Sequence, residues 1–168
     1  MSTTYYPAKV GNSWTYQMKD GTTYTNSIKS VDAGDPNLFT MFNSSVNKDT
    51  FLKVEGSNYL TKYDDESGFQ VFLKDTLKQG DSWEIKFKAN GLDSILIMTV
   101  KETGKQMEVA GKSYSNIIFI ESESKLMMNG NLIPLNFFTQ YYYAMGVGLV
   151  QTTSSVGDAH NLVDCQLK

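Results

Sequence analysis

Three groups of side chains in this chain could carry out chemistry. His160 lies near Asp158 and Asp164, and a carboxylate that orients an imidazole makes it a general base for a serine nucleophile. Glu121 and Glu123 stand two apart on an expected strand, so both carboxylates face the same way. Glycoside hydrolysis uses two carboxylates, but opposed across a bound sugar. Gly146-Val147-Gly148 has the glycines of a phosphate-cradling loop. Each group lacks its structural companion. No Gly-x-Ser-x-Gly elbow accompanies His160, which reads as a solvated histidine in a polar turn, and side-by-side glutamates read as an exterior face. Leu149-Val150-Gln151-Thr152-Thr153 reads as a strand, where a phosphate loop needs a helix N-terminus. No catalytic residue is assigned; a small hydrolase using His160 or the Glu121/Glu123 pair stands as the enzymatic alternative.

Metal and nucleic-acid chemistry find less support. Asp64-Asp65-Glu66 offers oxygen ligands without the spacing of an EF-hand. One histidine and one cysteine, Cys165, cannot make a four-ligand zinc cluster or a disulfide framework. Cys165 alternates with Val163 and Leu167 and reads as a small buried hydrophobe. All fifteen basic residues are lysine, spread evenly through a chain of net charge -3. Without arginine's bidentate fork or a basic patch, the footprint of a nucleic-acid binder is missing. No metal, no cofactor and no nucleic acid is expected.

What must position any site is a β-framework. A hydrophobic fraction of 40% and a charged fraction of 20% in 168 residues are those of one ordinary globular domain. Two-residue alternation of β-branched and aromatic residues dominates, with turn signals at roughly eight- to twelve-residue intervals. Strands are expected at 14–19 and 23–28 around Asp20-Gly21, then at 38–43, 49–55, 57–63, 69–74, 83–88, 95–101, 106–109 and 115–122. Asn129-Gly130 marks a further hairpin, and strands at 137–145 and 149–153 flank the glycines of 146–148. Pro7, Pro36 and Pro134 fall at expected strand boundaries. The two tryptophans sit in one repeated phrase, Lys9-Val10-Gly11-Asn12-Ser13-Trp14 and Lys78-Gln79-Gly80-Asp81-Ser82-Trp83. Parity places Trp14 with Tyr16 and Met18, and Trp83 with Ile85 and Phe87, on apolar faces. Each phrase therefore reads as a glycine turn launching a strand with its aromatic face inward.

Binding, by contrast, has a candidate. Phe137, Phe138, Tyr141, Tyr142 and Tyr143 put aromatics on both faces of one strand, which must then be covered on both sides by protein or by ligand. Trp83, Tyr141 and Tyr143 are the expected ligand-binding residues, as inward positions that could share one concavity.

The opening Tyr5-Tyr6-Pro7-Ala8-Lys9-Val10-Gly11-Asn12-Ser13-Trp14, the second Gly-Asp-Ser-Trp phrase and the late Tyr143-Ala144-Met145-Gly146-Val147-Gly148-Leu149-Val150 resemble a loosely defined group of uncharacterised bacterial lipoproteins, best represented in the Bacteroidetes. The resemblance implies a strongly curved antiparallel sheet, a periplasmic or outer-membrane address, and membrane attachment only through an N-terminal lipid anchor. It brings no activity and no functional residues. Met1 to Pro7 show neither the n-region nor the h-region of a signal peptide, and no lipobox is present in these residues. A cytoplasmic protein, or one whose leader precedes Ser2, fits them. The expectation is a single all-β domain over residues 1–168, with residues 1–6 the remnant of a tether. Its sheet is a half-barrel or partly open barrel of about ten to twelve strands. Its expected role is non-enzymatic, binding a lipid, peptide, glycan or envelope partner protein; a purely structural envelope protein is the further alternative.

Overall fold

Alternating apolar and polar residues make strands along nearly the whole chain. The structure, a computed structural model, describes residues 3–168. Among them are twelve strands and no helix: β1 (Ser13–Met18), β2 (Thr23–Val31), β3 (Leu38–Asn43), β4 (Lys48–Glu55), β5 (Asn58–Lys62), β6 (Phe69–Lys74), β7 (Ser82–Ala89), β8 (Leu92–Val109), β9 (Lys112–Met128), β10 (Asn131–Ala144), β11 (Gly148–Ser154) and β12 (Ala159–Gln166). They form one antiparallel sheet in the order β6-β5-β4-β3-β2-β1-β12-β11-β10-β9-β8-β7. The two chain ends therefore pair in the middle of the sheet, Ser13 opposite Gln166 and Met18 opposite His160. The edges are β6 and β7, which are consecutive in sequence. The sheet curls into a nearly closed barrel, as expected for a partly open one.

Between β6 and β7 there is no ladder, and side chains span the gap instead. The Trp83 indole N–H donates to the Val71 carbonyl at 2.9 Å, the Lys86 amide to the Gln70 side-chain oxygen at 3.4 Å, and the Lys88 amide to the Asp64 carboxylate. Edge groups that would otherwise lie bare are thus capped without a strand pair. Bonds from the Lys88 amide and from Ser67 hold the Asp64 carboxyl well below the usual carboxylate range.

The two Gly-x-Ser-Trp phrases fold alike. Gly11 and Gly80 have φ of 96° and 93°. Their amides donate to Ile28 and Val100 carbonyls, both at 2.9 Å, and the Ile28 and Val100 amides return bonds to Asn12 and Asp81 carbonyls. What differs is depth. Trp14 is fully buried, its N–H donating to the Val147 carbonyl at 2.7 Å, whereas Trp83 is half-buried at the seam. Asn12 explains why the first copy has an amide where the second has a carboxylate. Buried, it donates to the Pro7 carbonyl at 2.8 Å and accepts from the Lys168 amide at 2.7 Å, joining both ends of the chain. Asp81 only accepts, from the Lys78 amide at 2.8 Å.

One end of the barrel is closed. The β10–β11 turn, the lower part of the β8–β9 hairpin with buried Val109 and Tyr114, and residues Thr4 to Pro7 fill it. The Thr4 carbonyl accepts from Gly146 at 2.7 Å, and the Tyr5 amide donates to Asp75 at 2.9 Å. Of the residues read as a tether remnant, Met1 and Ser2 lie outside the described residues, while Tyr5 is buried and Tyr6 packs against the core. The turns at 19–22, 44–47, 63–68, 90–91, 129–130 and 155–158 surround the other end.

Three local expectations are corrected. The strands expected at 95–101 and 106–109, divided at Thr103-Gly104, are joined into one long β8 by register shifts between Val100 and Met107, with Gly104 at φ 66°. Pro134 is inside β10, not at its boundary, beside a bulge that shifts the ladder before Phe137; bulges are where a sheet tolerates proline. Val163 is 42% exposed and Cys165 only half-buried, because β12 carries a bulge opposite Thr15/Tyr16 that skips Val163 and leaves Cys165 paired with Trp14.

Gly148 is where sequence spacing and packing meet most tightly: its φ is 112°, and a Cβ there would lie 2.9 Å from Trp14 Nε1. Gly148→Ala is expected to cost about 2 kcal/mol or more in urea unfolding. Gly91→Ala, with φ of 78° and open space around it, should cost only about 1 kcal/mol from backbone strain. Equal losses at the two sites would contradict this account.

Candidate functional site

The inner face of the barrel is where the inward halves of the alternating strands converge, and it is rich in phenols. Tyr6 packs at ring distances of 5.3 Å from Trp14, 5.9 Å from Tyr59, 6.1 Å from Phe72 and 6.4 Å from Tyr143. Tyr63 crosses from the seam side, its ring tilted against Phe87 at 5.4 Å. Tyr16 donates to the Leu149 carbonyl at 2.7 Å, and Tyr59 is hydrogen-bonded to Thr4 and, at 3.0 Å, to Asp75. Each hydroxyl that finds such a partner can be buried without an orphaned donor.

Beside this cluster a cleft of about 210 Å³ opens on the concave side. Tyr6, Met41, Leu52, Phe72, Tyr143 and Leu149 form its apolar walls, and Asn26, Asn43, Thr50 and Thr61 its polar positions. Thr50 and Asn43 lie at the ends of β4 and β3 nearest the turn at 44–47, so the polar side faces the open end of the barrel. Asn43 is committed to the turn, accepting from the Ser45 amide at 2.8 Å. The arrangement suits an apolar segment with a polar end: aliphatic and aromatic walls for burial and a hydroxyl-and-amide rim for orientation.

The three expected binding residues share the inner face but not one role. Tyr143 is 6% exposed and lines the cleft. Tyr141 stacks 6.5 Å from it, with its hydroxyl hydrogen-bonded by Ser122 and Thr139; it backs the cleft wall. Trp83 is tied to Val71 across the seam. Sequence reasoning missed Tyr6, Met41 and Phe72. Alternation marked Met41 and Phe72 as strand residues, but the pairing of a chain end with a distant inner face carries no local signal.

The groups considered for catalysis are placed otherwise. His160 is in strand β12, not in a turn, and its Nδ1 lies 2.6 Å from the Tyr24 hydroxyl with the rings edge-on. Its partner is thus a phenol, while Asp158 accepts a hydrogen bond from Ser154 at 3.4 Å. Glu121 and Glu123 are on the outer face of β9. Glu121 accepts from Gln140 at 2.9 Å and lies 3.9 Å from Lys101, and Glu123 lies 3.9 Å from Lys125. Among the described residues no cluster of three or more His, Cys, Asp or Glu could hold a metal ion.

Burial governs the electrostatics. It pushes the Tyr16 and Tyr143 phenols well above their ordinary range, with neighbouring tyrosines adding to the shift. Tyr6 is raised by burial alone, and Tyr63 by burial and then Tyr141. Tyr59 is pushed up to about 12, by burial first, with Asp75 contributing.

Comparison with known proteins adds the fold. No protein-family model matches the chain, and no curated protein matches it. Among solved structures, it is similar to a candidate exported protein with a YmcC-like fold from Bacteroides fragilis NCTC 9343. The TM-score is 0.58 at 10% identity, over 96% of this chain and 98% of that one. It is also similar to a candidate lipoprotein from Parabacteroides distasonis ATCC 8503, with a TM-score of 0.54 at 10% identity, over 99% of this chain and 100% of that one.

The raised phenol pKa values predict an alkaline limit. In the unfolded chain tyrosines ionise near pH 10, so above that pH the unfolded state sheds protons that the folded state keeps. The stability these phenols contribute is complete below about pH 10 and falls as pH rises toward the folded values. Phenolate absorbance of the buried tyrosines should therefore appear together with loss of the near-ultraviolet circular dichroism signal. Smooth ionisation of all ten tyrosines near pH 10 with that signal intact would refute the burial argument.

Proposed function

We propose that this chain is a non-enzymatic module of the cell envelope that holds the apolar segment of an amphipathic ligand in the Tyr6–Tyr143 cleft, with lipid as the ligand class. The observation that carries the reading is the cleft itself, on the concave face, apolar in its walls and polar toward the barrel's open end. At about 210 Å³ it is below the roughly 300–1,000 Å³ of a site that engulfs a drug-sized molecule. It therefore takes one end of a longer molecule, such as the last part of an acyl chain, and leaves the rest outside. Peptides and glycans are less well matched, since the walls offer few unpaired hydrogen-bonding groups. Likeness in fold to a candidate exported protein and a candidate lipoprotein supports an envelope address, as does the resemblance in the Tyr-Pro opening and the Gly-x-Ser-Trp phrases.

A fluorescent polyunsaturated fatty acid titrated into the protein tests this directly. Saturable binding is expected, and Thr50→Trp, which fills the mouth from an exposed position, should weaken it by about tenfold or more. Native mass spectrometry of the purified protein should show a co-purifying lipid that the variant lacks. Absence of saturable binding, or equal binding by Thr50→Trp, would favour a purely structural role.

A further inference from the structure

The barrel wall is uneven in height. Its tallest part is built from β7 to β10, whose hairpin turns at 90–91 and 129–130 lie side by side: Ala89 opposes Leu92, Asp93 opposes Met127, and Met128 opposes Asn131. At these tips Leu92, Met128, Leu132, Ile133 and Leu135 are each 40–45% exposed. The cluster is contiguous, unlike the scattered single exposures normal on any surface. The chain carries no charged residue from Leu126 to Gly157, so along the β9–β10 tip only the uncharged Asn129, Asn131 and Asn136 stand among the exposed apolar side chains.

The β9–β10 tip carries apolar side chains on both faces. Cross-strand register puts Phe87, Ser94, Leu126 and Ile133 in one row, and Lys88, Asp93, Met127 and Leu132 in the next row, on the opposite face. A protein docked on a sheet covers one face, whereas an apolar medium surrounds both. Just below the tips are Lys86, Lys88 and Lys125, with Asp93 in the same rows, the Asp64 carboxylate at the Lys88 amide and Glu84 two residues further along β7, in a protein whose net charge is -3. Glu123 lies one row lower, 3.9 Å from Lys125. Lys86 and Lys88 also flank a depression of about 310 Å³ floored by Phe87, Ile95 and Met127.

We propose that these two hairpin tips dock on an anionic lipid bilayer, the aliphatic side chains entering the headgroup–acyl boundary and the three lysines lying at the level of lipid phosphates. Insertion is shallow. β11 pairs with β10 only from Thr139 onward, so the β10 edge from Asn131 to Phe137 keeps backbone groups that need water or headgroups and cannot enter hydrocarbon. The inference stands without the cleft reading, because it concerns a different surface and requires no bound ligand.

Flotation of the full chain with vesicles provides the test. The protein should float with mixed phosphatidylethanolamine and phosphatidylglycerol vesicles and much less with phosphatidylcholine alone, and high salt should weaken the association. Leu132→Asp with Ile133→Asp should reduce binding by about tenfold or more. Lys86→Gln with Lys88→Gln should reduce it on anionic vesicles only; this second variant alters exposed side chains and keeps the test decisive if the first misfolds. Thr50→Trp should float as the parent does, which separates this surface from the cleft. Failure of the parent to float, or undiminished binding by both tip variants, overturns the proposal. So does a dimer in sedimentation velocity that the tip variants abolish, which would assign the surface to a second copy of the chain.

Discussion

A twelve-stranded sheet has two edges to dispose of, and the way this one disposes of them determines the rest of the molecule. The edges β6 and β7 are neighbours in sequence and face each other across the seam, yet they are joined by side chains and not by a ladder. Trp83, Gln70 and Asp64 supply the bonds that a strand pair would otherwise make. Full pairing would tighten the curl. Leaving the seam spanned by longer side chains keeps the barrel wide enough for the cleft of about 210 Å³ beside its core.

The repeated phrase gains its meaning from the same geometry. Both copies launch the first strand of a six-stranded meander, β1 to β6 and β7 to β12. β1 meets the last strand of the other half in a hydrogen-bonded ladder with one bulge, whereas β7 meets the last strand of its opposite half only through the seam. One construction device thus serves two boundaries, one sealed and one not. The differences within the phrase follow: Asn12 donates and accepts between the chain's two ends, Asp81 only caps its own turn, and Trp14 lies deep in the core while Trp83 guards an edge.

The sequence was informative where physics is local. Alternation and turn dipeptides located most strands and the facing of Trp14, Trp83, Ile85 and Phe87, because each strand's parity is written in adjacent residues. Continuity across Thr103-Gly104 was not legible, since a glycine that breaks one strand and a glycine that bulges a longer one look the same along the chain. Nor was the seating of Tyr5 and Tyr6, which depends on Asp75, Gly146 and Phe72 being brought to them by the closed sheet. The cleft falls in that second category: Tyr143 was marked by its neighbours, but Tyr6 and Met41 become its walls only after β3 and the N-terminal segment meet inside the barrel. His160 was misplaced for a related reason, because its strand is defined by pairing with β1, far away in sequence.

The meeting of the chain ends in mid-sheet has a consequence for how the molecule comes into being. Every ladder except the one between β1 and β12 joins strands adjacent in sequence, so two meanders can form as the chain emerges, each needing only short loop closures. The β1–β12 ladder has to wait for β12, Ala159 to Gln166. Until then β1 and β11 both present bare edges, a template for pairing with other chains. The hazardous interval in folding is therefore the one before β12 arrives, and the Asn12 clasp on Lys168 is the contact that marks its close.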